Sequence, residues 1–253
     1  MTQEKKDKKI NKLISLFTNG EIEKCKRETK RVLEVYPNEP FLFNLLGVTH
    51  AETGLFDKAI AYYKKAIKLN SEYFEVYNNM GVAYSNWKKP DLAGESLRQA
   101  IRLNPNYAEA FNNLGNSQKE LSDYEDAIQS YENALKIDPS YIDALCNLGI
   151  VLGVLERYSE AEERYKKALA LDPLDYKINY YLADNLFNQG FYDRAEEIAY
   201  KILEKNKSDA ELNDLIGTIL QKKGKIKSIG FFRRALKSTK RKDISLNNIG
   251  TLL

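Results

Sequence analysis

The chain has one histidine, one tryptophan, two cysteines and two methionines among 253 residues. Each scarcity excludes something. A single histidine rules out a multi-histidine metal site and argues against a hydrolase triad. Cys25 and Cys146 form no CxxC pair and no disulfide framework. No Gly-rich phosphate loop, GxSxG elbow or metal-spaced cluster occurs. The N-terminal MTQEKKDKKINK is followed only by the short apolar stretch Leu13–Phe17, too little for a secretion signal, and no run approaches a membrane span. The expectation is a reduced, cytoplasmic protein that is not an enzyme and carries no cofactor, metal or transmembrane segment.

Charge is unevenly placed. Residues 222–242 hold ten Lys or Arg and no acid, and residues 1–12 hold five Lys against two acids, so the rest of the chain is net acidic although the total is +3. At 43% hydrophobic and 30% charged the chain is too apolar to be disordered.

Prolines and glycines are few, and they recur. Gly47, Gly81, Gly115 and Gly149 are evenly spaced, and Pro105, Pro139 and Pro173 repeat at the same interval. Ala59, Ala93, Ala127 and Ala161 keep the same step, and so do Ala66, Ala100, Ala134 and Ala168. Tyr63, Tyr131 and Tyr165 share another register, with Leu97 in the second copy. Each period reads as two helices. Apolar residues fall at helical spacing before a break and again after it, as in Tyr124, Ala127, Ile128, Tyr131, Ala134 and Leu135. The second run stops at Asn104-Pro105, Asp138-Pro139 or Asp172-Pro173, because proline disfavours helix in the residue before it. Gly47, Gly81, Gly115, Gly149, Gly217 and Gly250 lie in mid-first helix, where glycine costs about 1 kcal/mol against alanine. Close helix–helix approach, with no room for a Cβ, explains them. Gly20, Gly54, Gly190 and Gly224 fall near the break.

At these residues the chain resembles the tetratricopeptide repeat family. With Pro40 as position 1, the family's hydrophobic, Gly, Ala, aromatic, Ala and Pro positions are filled in 40–73, 74–107, 108–141 and 142–175, apart from His50, Gln118 and Ser71. Residues 176–209 and 210–242 are degenerate copies, the latter with one residue deleted after Gly224. Residues 6–39 are a divergent first copy behind a basic tail at 1–5, and 243–253 restart the pattern as an incomplete repeat or terminal helix. Its apolar residues suit the middle of an array, so the parent protein is expected to continue past Leu253. The resemblance implies an all-α fold, a right-handed superhelical solenoid of antiparallel helix pairs in one continuous domain, with first helices lining a concave groove.

On that face the resemblance places Asn79, Asn113 and Asn147 at position 6, joined by Asn248, with Asn78 and Asn112 at position 5 and Asn116 at position 9. Asparagine is a mediocre helix former, so a row of it in mid-helix needs an offsetting reason. One is recognition, since an amide that donates and accepts grips an extended peptide backbone whatever its sequence. The other is plain repeat consensus on a solvated face. The row is similar to the asparagine ladder in the repeat arm of O-linked N-acetylglucosamine transferases. A chaperone-type carboxylate clamp fits less well. Asn116, Asn147 and Lys177 match it, but Asn112 and Tyr181 replace two of its cations, and Glu75, Glu109 and Asp143 would repel an acidic tail. The expected function is a scaffold that binds an extended peptide or partner domain through Asn78, Asn79, Asn112, Asn113, Asn116, Asn147 and Lys177. The alternative is a substrate-presenting arm of a larger glycosyltransferase-like enzyme. Self-association through the terminal repeats is a weaker reading.

Of the singletons, His50 and Cys25 sit at packing registers, and Cys146 faces the groove. The two thiols are too many repeats apart for an intrachain disulfide. Trp87 is either a surface anchor or a cap over its turn. The 222–242 run reads as a solvated helix face before it reads as a nucleic-acid or anionic-surface site, because Phe231 and Phe232 fall at core registers.

Overall fold

The computed structural model describes residues 3–238, and among them places fourteen α-helices and no strand. First helices are α1 (Gln3–Thr18), α3 (Pro40–Ala51), α5 (Phe74–Asn86), α7 (Ala108–Glu120), α9 (Ile142–Val154), α11 (Tyr176–Asn188) and α13 (Ala210–Lys222). Second helices are α2 (Ile22–Val35), α4 (Phe56–Leu69), α6 (Pro90–Leu103), α8 (Tyr124–Ile137), α10 (Tyr158–Leu171), α12 (Tyr192–Leu203) and α14 (Ser228–Ser238). From α3 on, every first helix starts one full period after the one before, as the sequence spacing predicts. Residues 3–5, expected in a basic tail, belong to α1. The restart at 243–253, with Asn248 and Gly250, lies outside the described residues. Contacts group the chain into two compact units, Met1–Ile137 with α1–α8 and Asp138–Leu253 with α9–α14.

Two chemistries set the helix ends. At the break inside each pair one residue has positive φ, and these are Gly20, Gly54, Lys88, Ser122, Glu156, Gly190 and Gly224, one in each period. The next N–H reaches back five residues, as in Leu55 to the His50 carbonyl at 3.0 Å and Asp123 to the Gln118 carbonyl at 2.9 Å. That is a left-handed cap closing the last turn. Between pairs, the side chains of Asn70, Asn104, Asp138 and Asp172 accept from the N–H two residues on, at 2.9–3.1 Å. This turn fixes the residue that follows, Ser71 in the first case and a proline in the other three.

The core repeats as well. A Cβ on Gly47, Gly115 or Gly149 would lie 2.3–2.6 Å from the ring of Tyr63, Tyr131 or Tyr165, and one on Gly81 2.6 Å from Leu97. Gly217 meets Phe232 in the same way, fifteen residues on rather than sixteen, which confirms the single deletion between them. Where the glycine is lost, its partner shrinks. Ala183 faces the register of Ala199, and Leu13 that of Thr29, all four buried. In each of these two copies a larger residue at the first position goes with a smaller one at the second, the direction close packing favours.

Candidate peptide-binding face

In the first unit the position-5 and position-6 asparagines bond to one another between repeats. Asn79 Nδ2 donates to Asn44 Oδ1 at 3.1 Å, and Asn113 Nδ2 donates to Asn78 Oδ1 at 3.0 Å. Asn78 in turn donates to Glu109 Oε1 at 2.9 Å and to the Tyr107 hydroxyl at 3.3 Å. Tyr107 donates to Glu109 Oε2 at 3.1 Å, while Asn44 shares a hydrogen bond with the Tyr73 hydroxyl. These bonds sew α3 to α5 and α5 to α7.

The expectation that both positions face a ligand is corrected here. Asn78 is 0% exposed and Asn112 4%, so neither side chain can meet a peptide without displacing its neighbours. A buried amide must find partners, and the adjacent repeat supplies them for Asn78. Asn79, Asn113, Asn116 and Asn147 are half-buried and Lys177 is exposed. Asn116 accepts from the Tyr131 hydroxyl at 2.8 Å. Sequence reasoning passed over Asn44, although its offset from Asn79 is the one that joins Asn78 to Asn113. It also passed over the buried Asn179 and Asn213, whose amides donate to loop carbonyls before their own helices. Asp175 and Asp209 cap those same helices, each accepting an N–H at 2.8 Å.

Two recesses open between neighbouring first helices, one in each unit, at one register of the repeat. In the first unit, about 290 Å³ is lined by Val48, Ala51, Glu52, Tyr63, Asn79, Val82, Ala83 and Asn86. In the second, about 230 Å³ is lined by Ile150, Gly153, Val154, Tyr158, Tyr165, Tyr181, Asp184, Asn185 and Asn188. Burial pushes the phenols of Tyr63 and Tyr165, which wall these recesses, well above their ordinary range.

Several other polar groups find partners within the fold. His50 is buried, with Nδ1 2.6 Å from the Leu46 carbonyl, its ring tilted on Tyr62 and its pKa lowered by burial. Cys25 is fully buried and its thiol is raised by burial, which makes it inert. Trp87 lies over its turn between Phe56 and Tyr84, with Lys89 Nζ 3.4 Å from its ring centroid. In the basic run, Lys223 pairs with Asp193 and Glu196, Lys225 Nζ lies 3.1 Å from Glu196, and Arg234 donates to Asn213. Phe231 and Phe232 are buried, as their register predicts. Among the described residues no three His, Cys, Asp or Glu side chains are placed to hold a metal, and no helix is long and apolar enough to cross a membrane.

Antiparallel helix pairs repeated at a constant period, with mixed polar faces between first helices, define an α-helical repeat protein built to present a surface. Family models described as TPR repeat match residues 49–86 and 115–153, and tetratricopeptide repeat models match 74–107, 96–129 and 155–219. The chain belongs to the tetratricopeptide repeat family. No curated protein matches it. Among solved structures, a tetratricopeptide repeat protein from Parabacteroides merdae ATCC 43184 is similar at 19% identity, with 97% of each chain covered and a TM-score of 0.72. MamA is 30% identical over 63% of this chain and 93% of its own, with a TM-score of 0.56. YrrB, described as a TPR protein with an unusual peptide-binding site, is 23% identical over 76% of this chain and 98% of its own, with a TM-score of 0.61.

Proposed function

We propose that each unit of this protein-interaction scaffold holds extended peptide on the face formed by its own first helices, without catalysing a reaction. In the first unit Asn79 and Asn113 provide the grip, with Asn116 beside them. In the second unit Asn147 and the exposed Lys177 do so. The observation that carries the reading is the position of Asn79. It lines the first unit's recess, and its amide spends one N–H on Asn44 while its oxygen takes no partner among the described residues. An amide anchored at one end and open at the other is oriented before the ligand arrives, which lowers the entropy lost on binding. Asn78 and Asn112 act indirectly: the buried Asn78 positions Asn113, and Asn112 is set equally deep.

The test is a peptide selected from a displayed random library against the whole chain. Its affinity is then compared for wild type and for Asn79→Ala/Asn113→Ala, with Asn147→Ala and Lys177→Ala measured separately. A loss of about tenfold or more is expected for the double variant, at a helicity equal to wild type, since each amide contributes about 0.5–1.5 kcal/mol. Unchanged affinity in all three variants would remove these residues from the binding face.

A further inference from the structure

The two recesses share a register but not a chemistry. Val82 and Ala83 in the first unit give way to Asp184 and Asn185 in the second. Asp184 makes no ion pair among the described residues, and its one hydrogen bond there comes from Asn188 Nδ2 at 3.3 Å. Asn185 is 4% exposed; its Nδ2 donates to the Tyr158 carbonyl at 3.0 Å, but its Oδ1 is buried with no partner among the described residues. Buried polar oxygens are almost always satisfied, so a carboxylate without a cation beside an amide oxygen without a donor marks an unfilled requirement. Besides the phenol hydroxyls and the Asn188 amide, which can also donate, the recess offers the Asp184 carboxylate, the Asn185 oxygen, and the faces of Tyr158, Tyr165 and Tyr181. Tyr165 and Tyr181 stack with ring centroids 6.2 Å apart, which fixes the wall. Glu211 acts electrostatically on Tyr181, adding to the negative field.

We infer that this recess receives the guanidinium of an arginine side chain carried by a peptide partner. A guanidinium is planar, weakly hydrated and donor-only, with five N–H groups, enough for the carboxylate and, once the Asn185 side chain shifts toward the recess, its orphan oxygen as well, and it stacks on aromatic faces. An ammonium has three donors and holds its water more strongly. Burial raises the Asp184 carboxyl above its ordinary value, a penalty that a bound cation reverses. The inference does not depend on the asparagine face, because the residues it uses are different ones.

The experiment titrates acetylated, amidated Gly-Gly-Arg-Gly-Gly into the whole chain by calorimetry, with lysine and citrulline peptides as parallel arms. Cys146 supplies a second readout. It is an electrostatic neighbour of Tyr165 and Tyr181, and with Cys25 fully buried its alkylation rate reports on this recess. The arginine peptide should bind and slow that alkylation, the lysine peptide should bind several-fold more weakly, and the citrulline peptide should not bind. Asp184→Asn, nearly isosteric, should weaken the arginine peptide tenfold or more while melting no lower than wild type. Should that variant lose helicity, Asn188→Asp on the exposed rim should tighten binding several-fold. Equal binding of arginine and citrulline, equal binding of arginine and lysine, or no response to either substitution would overturn the assignment.

Discussion

Gly115 has no side chain because Tyr131 already fills the space. The ring is 0% exposed, and an added Cβ would sit 2.6 Å from it. Two effects of opposite sign meet there. Alanine gains about 1 kcal/mol over glycine in helix propensity, whereas overpacking a closed core costs about 1–3 kcal/mol. With the added atom against the middle of a buried ring, the steric term wins, so Gly115→Ala is expected to lose about 1–2 kcal/mol by urea denaturation. Gly153→Ala, in α9 where nothing lies within 4 Å of the new Cβ, should instead gain up to about 1 kcal/mol. A Gly115→Ala chain as stable as wild type would mean that the ring yields. The glycine register was legible from spacing alone, since one steric rule is written several times over. Its substitutes were not. Ala199 reads in sequence as a lost aromatic, and the structure adds that it and Ala183 are both fully buried.

Between elements, polar contacts join apolar ones in holding one repeat to the next. In the second unit Glu162 of α10 accepts from Lys166 at 2.7 Å on its own helix, from Gln189 at 3.2 Å just past α11, and from Arg194 of α12 at 2.7 Å. Burial by itself would raise this carboxyl, but the three hydrogen bonds override it and hold the pKa at about 2, below the ordinary 4.5. A folded-state pKa depressed below the unfolded one gives stability that is fully present above pH 4.5 and is lost as the pH falls toward 2. Solvent around the exposed Lys166 and Arg194 reduces its size to about 1–2 kcal/mol. Replacing Glu162 by Gln should therefore lower stability at neutral pH and flatten the acid limb between pH 4.5 and 2. An acid limb identical to wild type would show that other carboxylates set it. Such clasps resist sequence reading, because periodicity tells which residues share a face and not what that face meets. The asparagines show both halves of this. The family resemblance put Asn78 and Asn112 on the same face as Asn79 and Asn113, and the structure buries the first two while leaving the others half-buried.

Across a whole unit, each helix packs mainly on the helices before and after it in the chain, with weaker contacts one helix further on. Stability is then a sum of repeat terms and nearest-neighbour terms, and a local loss should fade with distance along the array. The Gly115→Ala defect tests this within the first unit. Amide hydrogen exchange should speed most in α7 and α8, clearly in α6, less in α5, and not measurably in α1 and α2. Equal acceleration from α1 through α8 would instead make the unit a single cooperative body. The outcome bears on binding. If the defect fades, the face carrying Asn79 and Asn113 can be altered locally while the distant pairs keep their protection. A loss of peptide affinity in an asparagine variant could then be assigned to the face itself, provided that exchange in α3, α5 and α7 stays at the wild-type rate. Asn78→Ala provides the contrast, since it removes the acceptor of the Asn113 amide and the donor to Glu109 Oε1 together and should raise exchange in both α5 and α7.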